Sequence, residues 1–238
     1  MNKTSIDIQR SRERFHTEVG WLDSWHNFSF GEHYDPENTH HGLLIVNNDD
    51  IVKPASGFGM HPHRDMEIVT WVLDGELQHS DSQGNEGKIY PGLAQRMSAG
   101  SGIIHSEINP RTDKEVHLVQ MWVLPDKMGI PPGYEQKDIN QEMEKGGLVP
   151  IASGKGHPGA VAIHQKSAVL WGGRLKPSEK VKVPDSPFVH VFIAKGTATL
   201  EGSVELQTGD SARLTSAGPL ELEAGGKGAE VLIWETQP

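Results

Sequence analysis

The sequence predicts an all-β chain in which one folding unit occurs twice, and three observations lead there. Short apolar runs recur between clusters of Gly, Pro, Asn and Asp: IVTWVL at 68–73, HLVQMWVL at 117–124, AVLWGGRL at 168–175, FVHVFIA at 188–194 and AEVLIWE at 229–235. Runs of this length between turn residues read as strands of a sandwich or barrel. Sustained helical periodicity is scarce, and the one helix expected lies around Tyr134 to Lys145, after the breaker Ile130-Pro131-Pro132-Gly133. The third observation is an internal repeat. VLDGEL (72–77) is followed by IYPGLAQRMSAG (89–100), and IAKGTATL (193–200) by LQTGDSARLTSAG (206–218), with Gly92 and Arg96 spaced like Gly209 and Arg213. A first unit is therefore expected over 1–130, a linker over 131–150 and a second unit over 151–238.

Within the first unit, GMHPHRDME and SGIIHSEIN each carry two donor residues at a spacing of two: His61 with His63, and His105 with Glu107. A strand turns side chains i and i+2 to the same face, so each couplet can aim two donor atoms at one point. Two such strands facing each other supply a divalent-metal site. Three imidazoles and a carboxylate suit Fe(II), Ni, Cu, Mn, Co or Zn better than Mg or Ca, which prefer all-oxygen shells. A six-coordinate ion held by these atoms keeps open positions, which distinguishes a catalytic site from a closed structural one.

The repeat tests whether the second unit does the same. His61 and His63 precede Gly75 by fourteen and twelve residues, and the same steps back from Gly196 reach Lys182 and Pro184. His105 follows Arg96 by nine residues, and the same step from Arg213 reaches Leu222, between Glu221 and Glu223. The second unit is expected to be a metal-free structural copy.

Composition narrows the class further. The 238 residues can bury a real core, and the absence of cysteine excludes disulfides, thiolate ligands and a cysteine nucleophile. A net charge of -10 repels phosphate backbones, so direct nucleic-acid binding is not expected. The charged start MNKTSIDIQRSRERF lacks the apolar core of a secretory signal, and no apolar run approaches transmembrane length. A cytoplasmic protein without membrane association is expected. Arg10, Arg12 and Arg14, interrupted by Glu13, read as a solvated face or tail.

The sequence resembles a known family at several points. H-P-H-R-D-M-E followed by S-A-G-x4-H-S-E-x-N resembles the two signature motifs of the cupins. SFGEHYDPEN (29–38), LIVNNDD (44–50), GFGMHPHRDMEIVTWVLDGELQHSDSQGN (57–85), SAGSGIIHSEIN (98–109) and MWVLP (121–125) resemble the pirins and their bacterial relatives. That resemblance runs over nearly the whole chain. It implies two tandem cupin barrels (double-stranded β-helices), the N-terminal one metal-binding and the C-terminal one degenerate. It also implies one metal ion, usually iron, on His61, His63, His105 and Glu107. Many cupins instead use the glutamate of H-x-H-x3-E, here Glu67, which lies ~13 Å along the strand from His63.

Several family members resemble quercetin 2,3-dioxygenases, which open a flavonol with O2 and release carbon monoxide. The resemblance therefore implies an O2-dependent ring cleavage of a flavonol-like aromatic, with Glu107 as both ligand and general base for the 3-hydroxyl. The alternative it implies is a metal- or redox-sensing protein that modulates a protein partner. A non-oxidative cupin enzyme is a third reading.

Other residues carry weaker signals. His26, His33, His40 and His41 precede the motif, at a pocket entrance or simply at the surface, and His79 and His117 read as structural strand histidines. Phe58, Met60, Met97, Met121 and Trp122 read as barrel filling or as an apolar wall for a flat substrate, and Trp71, Trp171 and Trp234 as core. Ser98 to Gly102 reads as a tight turn that aims His105 inward, and Pro62 as a mark of an edge strand or bulge. No G-x-S-x-G elbow is present.

Overall fold

Strand Glu67–Asp74 is buried on both faces, which is why its sequence IVTWVL is nearly continuous in apolar residues. Val69, Trp71 and Leu73 turn one way, into a core shared with the second half of the chain, while Val72 turns the other way, into the first barrel. The computed structural model describes residues 4–201 and 204–238. Among them, helix is confined to the turns Ser11–Glu13 and Asn140–Met143, and everything else regular is strand. No helix among the described residues is long and apolar enough to cross a membrane.

A seven-stranded sheet runs in the order Gly133–Asp138, Leu93–Ser98, Glu67–Asp74, Val116–Val123, Leu44–Val52, Leu22–His26, Phe15–Val19. A four-stranded sheet, Gly57–His63, Ile103–Ile108, Leu77–Asp81, Glu86–Ile89, completes the first barrel. Leu22, Val52, Val72, Leu77, Ile89 and Leu118 pack into one buried cluster of that barrel. The second half builds a nine-stranded sheet around the long strands Phe188–Leu200 and Leu220–Thr236. Trp71, Val119 and Met121 from the first half meet Phe192, Leu232 and Trp234 from the second in one continuous core. The Trp71 indole also donates to Glu230 Oε1 across the junction at 2.9 Å. Truncating a buried tryptophan of this kind to alanine costs about 3–5 kcal/mol.

Among its described residues the second barrel contains no counterpart of the donor cluster. In the first barrel His61 stands opposite His105; in the second, Val181 stands opposite Leu222. The pairing thus maps His61 and His63 onto Val181 and Val183, one residue away from the positions reached by counting from Gly196. His105 and Glu107 map onto Leu222 and Ala224. All four replacements are buried in an apolar core. Both groups of metal-ligand type found among the described residues lie in the first half.

Three expectations change. Strand Ser5–Gln9, expected in the first unit, pairs antiparallel with Ser211–Thr215 in the sheet of the second. The stretch around Tyr134 to Lys145 is a strand, Gly133–Asp138, paired with Leu93–Ser98, and only Asn140–Met143 is helical. The arginine cluster is not simply a solvated face. Arg14 is 8% exposed, pairs with Asp49 at 3.0 Å and stacks over Trp25 and Phe192, while Arg10 pairs with Asp210 at 2.7 Å.

Candidate metal centre

Gly57–His63 is an edge strand, so Pro62 loses little by lacking an N–H. Alternation turns His61 and His63 into the barrel and leaves Met60 outside, 59% exposed. On the neighbouring strand His105 and Glu107 are buried while Ile104 is exposed. A bulge between His105 and Glu107 shifts the register there. Gly57 is required by this close approach, because a Cβ at that position would lie 2.2 Å from the Glu107 carbonyl oxygen.

His61, His63 and His105 converge, with ring centroids 4.4 to 4.9 Å apart and one nitrogen of each within 4.8 Å of the others. The Nε2 atoms of His63 and His105 are buried and have no hydrogen-bond partner among the described residues. Buried polar atoms are normally satisfied, so two unpaired nitrogens converging on one point fit a ligand that accepts lone pairs. Neighbouring groups set the tautomers of His61 and His105. His61 Nδ1–H donates to the Gly59 carbonyl at 2.7 Å, which leaves Nε2 free. His79 Nε2–H donates to Asp81 Oδ2 at 3.0 Å, so its Nδ1 can accept from His105 Nδ1–H at 3.4 Å. His105 Nε2 is then also left as a lone pair. Asp81 is itself fixed by the backbone N–H groups of Gln83 and Asn85 and by the Asn85 amide.

Burial, with the neighbouring imidazoles adding to it, pushes His63 down to about 4 and His105 down to about 3. Both are therefore neutral near pH 7, which is the form that binds a metal.

Glu107 stands slightly apart. Its carboxylate groups with His105 and His79 rather than with His61 and His63. Gln120 Nε2 donates to it at 2.7 Å and the Thr70 hydroxyl at 3.3 Å, while Trp122 Nε1–H donates to Gln120 Oε1 at 3.0 Å and so orients that amide. Gln120 and Thr70 belong to a row of polar residues in register across the large sheet: His26, Asn48, Gln120, Thr70, Gln95. Glu67 is elsewhere. It accepts from Ser98 and from the His164 backbone N–H, at the junction with the second half.

A cavity of about 320 Å³ opens beside the cluster. Its lining is apolar at Leu22, Phe30, Phe58 and Trp122 and polar at Ser24, His26, Asn48 and Asp50, and His61, His63 and Glu107 also line it. Of the five residues weighed as an apolar wall, only Phe58 and Trp122 are there; Met97 and Met121 are core, and Met60 faces outward. His26 reaches the cavity, His40 lines a neighbouring cleft, His33 bonds Thr17, and His41 bonds the Leu214 carbonyl. Sequence reasoning missed His79 behind His105. The signal was Asp81 two residues further on, which makes the strand an H-x-D couplet. It also missed Gln120 and Asp50, which have no local signature.

Two fused cupin barrels, one lined with donors and one filled with aliphatic side chains, define a bicupin. The chain belongs to the pirin family: residues 7–123 match Pirin and residues 150–236 match the quercetinase C-terminal cupin domain. It is 37% identical to the quercetin 2,3-dioxygenase of Escherichia coli, over 98% of this chain and 99% of that protein. It is 56% identical to a Mycobacterium tuberculosis protein provisionally named a quercetin 2,3-dioxygenase, over 97% of this chain and 95% of that one. The structure of the bacterial pirin YhhW of E. coli in complex with nickel(II) superposes with a TM-score of 0.90 at 36% identity, covering 98% of this chain and all of that one.

Proposed function

We propose that this protein is a metal-dependent dioxygenase that cleaves a flavonol-like aromatic with O2. The observation that carries the proposal is the convergence of the unpaired His63 and His105 Nε2 atoms beside a cavity that Glu107 also lines. His61, His63, His105 and Glu107 would hold a divalent transition metal. Iron(II) is the expected resident ion, and the E. coli relative accepts nickel(II). When bound, the ion supplies positive charge beside which an enolate is stable.

The chain's own groups do the rest. Phe30, Phe58 and Trp122 offer flat apolar surfaces that hold an aromatic ring and exclude water. Glu107 accepts the proton of the substrate's 3-hydroxyl, and Gln120 and Thr70 keep its carboxylate in place as it does so. At about 320 Å³ the cavity lies at the small end of the ~300–1,000 Å³ range of ligand sites, which suits a single flat molecule better than a polymer.

The test is an oxygen-electrode assay of the metal-loaded protein with quercetin. Equimolar loss of flavonol and O2 with release of carbon monoxide is expected. No O2 uptake, or uptake unchanged after chelation of the metal, would overturn the proposal.

A further inference from the structure

Asp50 is a buried acid with no basic partner among the described residues. It lies on strand Leu44–Val52, is 3% exposed and lines the cavity beside the histidine cluster. Among the described residues the sole hydrogen bond to its side chain comes from the Ser24 hydroxyl, to Oδ1, leaving Oδ2 without a donor. Ser24 stands directly opposite Asp50 on the adjacent strand, so their pairing is set by sheet register rather than by a flexible loop. The residues flanking the pair on the same wall, His26 and Asn48, already bond each other at 2.9 Å. A carboxyl group taken from water without a full complement of partners is costly, and such a group facing a cavity points to a ligand that completes it.

We propose that the Ser24–Asp50 pair anchors a second hydroxyl of the substrate, distinct from the hydroxyl deprotonated by Glu107, so that the pocket selects polyhydroxylated aromatics. This rests on the dioxygenase reading and narrows its substrate class. The lining divides the work: Phe58 and Trp122 accept any flat ring, whereas Asp50 distinguishes rings by their substituents. Burial, with Asp49 and Glu107 adding to it, pushes Asp50 up to about 7. Near neutral pH the group is therefore available both as carboxylate and as acid, and a phenolic hydroxyl can donate to the first and accept from the second. Selection of this kind is effective because a site built to bond a hydroxyl is left with an unpaired buried group when the hydroxyl is missing.

The test uses two probes, quercetin and 3-hydroxyflavone, which carries the enolic hydroxyl but no other. Binding to the metal-loaded protein is measured without O2 by quenching of tryptophan fluorescence, and turnover is measured in air. Wild-type protein should bind quercetin about tenfold or more tightly than 3-hydroxyflavone. In Asp50→Leu that ratio should fall toward one, in Asp50→Asn it should be partly kept, and Ser24→Ala, which removes no charge, should reduce it even if Asp50→Leu fails to fold. If both probes are bound and cleaved with the same ratio in wild type and variants, the anchor is wrong and the dioxygenase reading stands. If wild-type protein neither binds nor cleaves either probe, both fall together.

Discussion

His79 stands behind His105, with their Nδ1 atoms 3.4 Å apart and the far nitrogen of His79 tied to Asp81 at 3.0 Å. The chain from Asp81 through His79 fixes the tautomer of His105 from behind, at the ring nitrogen turned away from the other two histidines. Partners of this kind typically contribute 10–100-fold to metal affinity. In His79→Phe, which keeps a ring to stack on Tyr134, affinity for a divalent metal should fall by roughly that factor. Competition with a chromophoric chelator reads this directly, and unchanged affinity would make His79 merely structural.

Glu107 should matter more to turnover than to metal retention. Glu107→Gln keeps the side chain's shape but removes the proton acceptor. Quercetin turnover should drop by about 10²–10⁴-fold, the usual contribution of a positioned base, while elemental analysis still finds metal. Undiminished turnover would remove the base role.

Gly57 and Gly59 make a matched pair on the strand that carries the histidines. A Cβ at Gly57 would sit 2.2 Å from the Glu107 carbonyl oxygen and 2.7 Å from Ile108 Cα, whereas one at Gly59 meets nothing within 4 Å. Gly57→Ala should lose about 1–3 kcal/mol of stability through overpacking and weaken metal binding by moving Glu107. Gly59→Ala should do neither. Thermal melts with and without metal distinguish the two.

His190 provides a pH dependence away from the centre. It is fully buried, neither ring nitrogen has a partner among the described residues, and burial pushes its pKa well below the ordinary value of 6.5. The folded state therefore binds fewer protons than the unfolded chain below that pH, and stability present above about 6.5 is lost as pH falls. His190→Leu in metal-loaded protein should shrink the difference in melting temperature between pH 7 and pH 5. The ceiling is ~1.4 kcal/mol per pH unit for one such site.

What was legible in the sequence follows from the range of the signal. His61, His63, His105 and Glu107 stood out because the two-residue period of a strand is written locally, and the repeat revealed two barrels. The loss of the donor couplets from the second barrel was also legible, although counting from Gly196 landed on Lys182 where the pairing puts Val181. Strand Gly133–Asp138 was missed because it lies at the edge of its sheet, where its polar residues face solvent and mimic a helix surface. Ser5–Gln9 joins a sheet more than 200 residues away along the chain, a pairing that leaves no local trace. Asp50, Ser24 and Gln120 acquire meaning only when three strands align them around one cavity.

The most direct measurement is the metal content of the purified chain and of its His63→Ala variant after exposure to Fe(II) or Ni(II). The arrangement of the histidines predicts near-stoichiometric binding of a single ion by the wild-type chain and its loss in the variant. Equal metal content in the two, or none in either, would contradict it.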